Sequence, residues 1–247
     1  MRVINYSLIF LVLVLFSSCE KNNLGDCFKS TGEITEEVRE IESFTKIIIH
    51  DNVEIVLTPS TSNLLTVSAG KNLIDKIITE QIADTLIISN NNSCNWVRNY
   101  STPIKVLVPI NGLSEIEYRS IGDIICTDTI FSDSLNINVR EGAGTLNILT
   151  NSYLVRSNLH YGTADIKVSG RCHLSYVYSA SFGLIDNRFL ISNQVYVGNK
   201  SSNDIYVTAV STIAATIEGI GNIYYFGNPP NYSFNQIGSG QLIHLTQ

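Results

Sequence analysis

The sequence predicts an all-β fold: a single-stranded β-helix, or solenoid, behind an N-terminal β subdomain. Three observations carry that prediction. Seven aliphatic anchors (Ile124, Leu146, Ile166, Ile185, Ile205, Ile223 and Leu242) each follow a short run of small or polar residues, at gaps of 22, 20, 19, 20, 18 and 19 residues. A period of this length with varied wording is how a repeat solenoid shows itself in sequence. Alternating runs lie between the anchors, such as Leu135, Ile137, Val139 and Leu174, Tyr176, Tyr178. Period-two alternation turns one set of side chains inward and the other outward. Finally, only 15% of residues are charged, against about 25% in ordinary domains. The polar surface is built from Asn, Ser and Thr, which suits exposed β faces and disfavours a long amphipathic helix.

Glycines such as Gly142, Gly144, Gly238 and Gly240 mark the corners, where positive φ is needed. One period therefore reads as two short strands and two corners. Stacked periods bury a continuous apolar column that a single period cannot. Seven rungs about 4.8 Å apart would run about 30 Å. An antiparallel sandwich also spaces short strands regularly, but it does not require the same small-residue corner before every anchor.

In chain order, residues 1–18 read as a signal peptide: Arg2, an apolar run from Leu8 to Phe16, then Ser17 and Ser18 before Cys19. The apolar run is too short to span a bilayer and fits a secretory leader. Small residues before a cysteine resemble a bacterial lipobox. That resemblance implies cleavage before Cys19, its acylation, and attachment to a membrane through the lipid chains. Residues 19–32 form the tether. Residues 33–110 form the N-terminal β subdomain and cap the column. Within it, 33–42 is an edge strand, because Ile34, Val38 and Ile41 make a weak helical face. Segments 44–49, 53–57, 65–67 and 85–88 are strands by their β-branched content; 72–77 is a helical turn or a further strand. Residues 111–247 are the repeat region, with a turn insertion at Pro229 and Pro230 and a last rung at Leu242.

Four cysteines follow Cys19, and an exported chain permits three pairings among them. Cys27 and Cys94 both lie in loop-like segments, which favours a Cys27–Cys94 disulfide; Cys126 and Cys172 sit in apolar strands and read as free thiols. The histidines His50, His160, His173 and His244 are isolated, and no nucleophile-elbow or metal-ligand spacing accompanies them. No metal or cofactor is expected. The residue before the anchor is Asp123, Asp165, Asp204 and Asn222 in four rungs. In a solenoid these stack into one outward ladder, either solubilising or suited to Ca²⁺ or sugar hydroxyls. Trp96, Tyr100, Tyr224, Tyr225 and Phe226 are aromatic candidates for a glycan or protein contact. Arg140, Arg156 and Arg171 are spaced like rung neighbours, the feature that keeps a polysaccharide-active enzyme among the alternatives, although no carboxylate pair stands beside them. The formal net charge is −6; without a basic stripe, nucleic acid is excluded as a partner.

Phe44, Thr45, Lys46 and Ile47, the run Asp51 to Val56, the segment Gly70 to Ile74, the stretch Gly221 to Pro230 and the Gly238–Gly240 corner together resemble the head GIN domain family of auto-transporter-adhesin-like lipoproteins of Bacteroidetes. The resemblance spans roughly residues 26–247. It implies a right-handed β-helix, a place in the outer membrane on the cell-surface or periplasmic side, and no catalytic residues. The function expected on this basis is a non-enzymatic envelope lipoprotein whose solenoid presents a binding surface. A periplasm-facing structural or stress component is the alternative.

Overall fold

A computed structural model describes residues 30–59, 62–93 and 104–246. These residues are almost wholly strand, and they form a β-solenoid of about six turns with a curled N-terminal sheet. Among them, a single 3-10 turn, Ile74–Lys76, interrupts the strands.

The N-terminal strands are β1 (Ile34–Glu40), β2 (Lys46–Asp51), β3 (Val53–Thr58), β4 (Leu64–Gly70), β5 (Ile77–Ile82), β6 (Thr85–Asn90), β7 (Ile104–Pro109), β8 (Glu115–Ser120) and β9 (Ile124–Cys126). The repeats are β10 (Ile130–Gly142), β11 (Thr145–Leu159), β12 (Asp165–Ser179), β13 (Ile185–Asn199) and β14 (Ile205–Ile217). The last turns are β15 (Ile223–Phe226), β16 (Asn231–Gln236) and β17 (Leu242–His244).

The predicted anchors stack in register. Ile124, Leu146, Ile166, Ile185, Ile205, Ile223 and Leu242 face one another rung by rung in parallel pairs, and Ile55, outside the predicted set, extends the row beyond Ile124. All are buried except Leu242, which packs half-buried against the same core. Each buried aliphatic side chain contributes about 1.5–3 kcal/mol relative to exposure, so the row is a principal source of cohesion along the column.

One expectation changes. From β11 to β13 a period is a single long bent strand closed by one tight corner, whereas β2 with β3, β8 with β9 and β15 with β16 keep the two short strands expected. β11, β12 and β13 each run 15 residues without a break. Each bends where a buried hydroxyl or thiol replaces an aliphatic side chain. Ser152, Cys172 and Ser192 stack there in register and are satisfied locally: Thr150 Oγ1 lies 2.8 Å from Ser152 Oγ, and Cys172 Sγ donates to Ser192 Oγ at 3.2 Å. At the tight corner Gly142 has φ +102°, and a Cβ there would lie 1.8 Å from the Ser120 carbonyl oxygen. Only glycine lets one rung sit this closely on the next.

The N-terminal strands do two different things. β1 pairs antiparallel with β4, β4 with β7, and β5 with β6, so β1, β4 and β5 curl over the first end of the column. The edge strand expected over 33–42 is β1, and 72–77 proves to be the 3-10 turn leading into β5. β2 and β3, however, lie inside the column. β2 is flanked by β6 and β8, both parallel, and β3 by β7 and β9, both parallel. The first rung in sequence is therefore inserted between two that follow it. Lys46 of this rung bridges Glu115 and Glu117 at 3.0 and 3.1 Å, and Arg119 continues to Glu141 at 3.2 Å. Burial pushes the Glu117 carboxyl up, but its bonds to Arg119 and Lys46 outweigh that and hold it below the ordinary value.

Candidate functional site

The acid ladder is a set of staples between rungs. Asp123 Oδ1 accepts the Thr145 backbone N–H at 2.7 Å, Asp165 Oδ1 that of Leu184 at 2.9 Å, and Asp204 Oδ1 that of Asn222 at 2.8 Å. Asn222 Oδ1 accepts the Gln241 N–H at 2.9 Å. Each side chain thus satisfies a donor in the next rung at the point where the chain leaves its corner. Among the described residues, no group of three or more His, Cys, Asp or Glu could hold a metal ion.

Larger outward side chains gather in stacks along the faces. On the face carrying the second halves of β11 to β14, and then β16, alternation turns Val155, Val195 and Ile213 inward. The residues between them, Arg156, Tyr176, Tyr196, Ala214 and Ser233, follow one another outward in register. Tyr176 and Tyr196 stack with centroids 5.2 Å apart and planes 22° apart, and the Arg156 guanidinium lies 5.5 Å from the Tyr176 centroid. Beside this row runs a second one: Asn158, Tyr178, Gly198, Thr216 and Asn235. Between the rows lies a groove of about 510 Å³. Tyr176 and Tyr196 remain 38% and 37% exposed, so the stack is open to a ligand along its length.

A second stack stands on the face of the anchors. Tyr206 and Tyr224 lie 4.9 Å apart at 10°, and Arg188 sits 4.2 Å over Tyr206 while bonding Asp186 at 2.7 Å. A third group follows the bend: Tyr153 stacks on His173 at 4.8 Å, beside Phe131, Asp133 and Arg171.

The other expected residues fall as follows. Tyr224 belongs to the second stack, Tyr225 stacks on His244 at 4.8 Å, and Phe226 is buried. His160 tilts against Tyr178, and burial followed by the nearby Arg140 charge pulls its imidazole pKa down. His50 lines a separate groove with Arg119 and Glu141. Cys126 and Cys172 are free thiols, half-buried and buried. Cys19, Cys27, Cys94, Trp96 and Tyr100 lie outside the described residues. Arg140, Arg156 and Arg171 are not rung neighbours. Arg156 stands opposite Asn136 and Tyr176, and Arg171 opposite Asn151 and Ile191. Sequence reasoning did not single out Tyr176 and Tyr196 as a site. The signal was present, since Arg156, Tyr176 and Tyr196 are 20 residues apart, one full period.

Fold and faces together define a β-solenoid whose outer faces are ribbed with stacked aromatic side chains. Residues 43–229 match the family described as "putative auto-transporter adhesin, head GIN domain", and the chain belongs to that family. A "putative adhesin" from Bacteroides fragilis has the same fold, with TM-score 0.79 and 22% identity over 86% of this chain and 97% of that one. A "putative lipid binding protein" from Parabacteroides distasonis follows at TM-score 0.68 and 20% identity, over 87% and 98% of the two chains. A "putative adhesin" from the same species gives 0.66 and 16%, also over 87% and 98%. At these identities the likeness is one of fold. No curated protein matches the chain. Among the described residues, no helix is long and apolar enough to cross a membrane.

Proposed function

We propose that this protein is a non-enzymatic envelope lipoprotein, anchored through Cys19, that works by presenting the faces of its solenoid to a ligand. The observation that carries the reading is the outward stacking of Tyr176 on Tyr196 and of Tyr206 on Tyr224. A column needing only solubility has no use for large, half-exposed rings in register, whereas Tyr supplies contact area with little loss of side-chain freedom. Membership of an adhesin-like family supports a place on the envelope, and the Ser17, Ser18, Cys19 sequence supports lipid attachment.

Two measurements test this. Cys19→Ser should move the protein from the membrane fraction to the soluble fraction and abolish its labelling by a fatty-acid probe; continued labelling would end the lipoprotein reading. Intact cells treated with a non-penetrating protease should lose the protein. Protection until lysis would retire adhesion and leave a periplasm-facing component.

A further inference from the structure

We propose that the slot beside Tyr196 seats one pyranose ring of a neutral glycan. The inference rests on the binding reading above and names its ligand and its place. In the row Arg156, Tyr176, Tyr196, each group covers one face of the next. The stack ends at Tyr196, because the following residues in the row are Ala214 and Ser233. Tyr196 therefore turns a ring face toward a rung that has no ring to offer it.

The residue next to this gap is Gly198, and the fold does not require a glycine there. It is not among the positive-φ glycines, and a Cβ would meet only Tyr178 Cδ2, at an ordinary 3.8 Å. The positive-φ glycines are different, since a Cβ at Gly142 or Gly170 would collide with backbone at 1.8 or 1.9 Å. What the absent side chain at Gly198 does provide is open floor between Tyr178, Tyr196 and Thr216.

The polar groups around the floor are Thr216, Ser233 and Asn235. No side-chain hydrogen bond engages any of the three among the described residues, so their hydroxyl and amide groups are available to a ligand. Among the described residues, no carboxylate lines the slot. Its cation, Arg156, stands at the far side of Tyr176 and donates to Asn136 Oδ1 at 3.1 Å. An aromatic face, a small floor and neutral donors and acceptors match a pyranose, which has an apolar C–H face and a rim of hydroxyls. The groove's volume lies within the range of about 300–1,000 Å³ usual for small-ligand sites.

The test uses the full mature chain on an array of neutral and acidic glycans, followed by calorimetry with the strongest hit. A neutral glycan should bind. Tyr196→Ala should weaken it at least tenfold, and Gly198→Phe, which fills the slot, should abolish it with the circular dichroism spectrum and melting temperature unchanged. Tyr161→Ala, which removes an exposed corner ring outside the stacks, should leave it as it was. Hits confined to acidic glycans, or no hits at all, would overturn the proposal. So would a neutral glycan that binds Tyr196→Ala and Gly198→Phe as well as the parent; in that case the protein would still be a glycan binder, but at another face. Surface exposure on intact cells is independent of all these outcomes, so loss of this site and loss of the adhesin-like reading are told apart.

Discussion

Replacing Asp165 separates a staple from a ligand-binding acid. Its Oδ1 accepts the Leu184 N–H at 2.9 Å, and nothing else in the geometry calls for a charge. Asp165→Ala removes the acceptor and leaves a half-buried backbone donor to partial solvation. A hydrogen bond of this kind contributes a net of about 0.5–1.5 kcal/mol, so the loss should be about 1 kcal/mol. Asp165→Asn keeps an oxygen in the same place, as Asn222 does in its own rung, and should cost far less. Asp123, Asp165 and Asp204 are two rungs apart, or about 10 Å, a distance at which effects add. The triple alanine variant should then lose about 3 kcal/mol. For a domain of this size that lowers the melting temperature by about 6–12 °C. Urea unfolding gives the energy, and amide exchange at Thr145, Leu184 and Asn222 localises it, which matters because a solenoid loosens rung by rung. If Asn at position 165 proved as damaging as Ala, charge rather than the staple would be what counts. If Ala changed neither the urea midpoint nor the Leu184 exchange, the staple would carry no load.

Two further outcomes follow. Gly142→Ala places a Cβ 1.8 Å from the Ser120 carbonyl oxygen at φ +102°; the variant should lose more than about 3 kcal/mol, seen as a collapse of the melting temperature, and a fall of a degree or two would show that the corner can open. Burial pushes the Cys172 thiol above its ordinary 9.0, only partly offset by its bond to Ser192, so it should resist iodoacetamide in the native state and react on unfolding. Because the folded thiol holds its proton to higher pH than the unfolded one, this contribution to stability is complete below pH 9 and declines above it; Cys172→Ala should flatten that alkaline decline.

The column was legible because its signal is periodic. Such spacing needs no knowledge of partners: Leu146, Ile166 and Ile185 announce their stacking by their distance in sequence. Phase carries further information, since Arg156, Tyr176 and Tyr196 share a position in the period and therefore a row. Arg140, Arg156 and Arg171 are 16 and 15 residues apart, short of a period, and so fall on different rows. The ladder was visible but its work was not, because its partner is a backbone N–H, which every residue but proline possesses and no sequence displays. The inserted rung could not be read at all. Residues 46–58 look like any pair of buried strands, and their neighbours are decided by how the chain returns after β7.

That insertion also governs the order in which the chain can become native. Lys46 faces Thr85 on one side and Glu115 on the other, while Ile55 waits for Ile124. Until residue 126 has emerged, the first rung has at least one edge without its native partner. Growth from the N-terminus, one coil after another as each is synthesised, is therefore closed to this protein. A fragment ending before β8 would carry two bare hydrophobic strand edges of the kind that recruit other chains. The column begins in the middle of itself: β2 and β3 are a keystone, set only when the stones on both sides are in place.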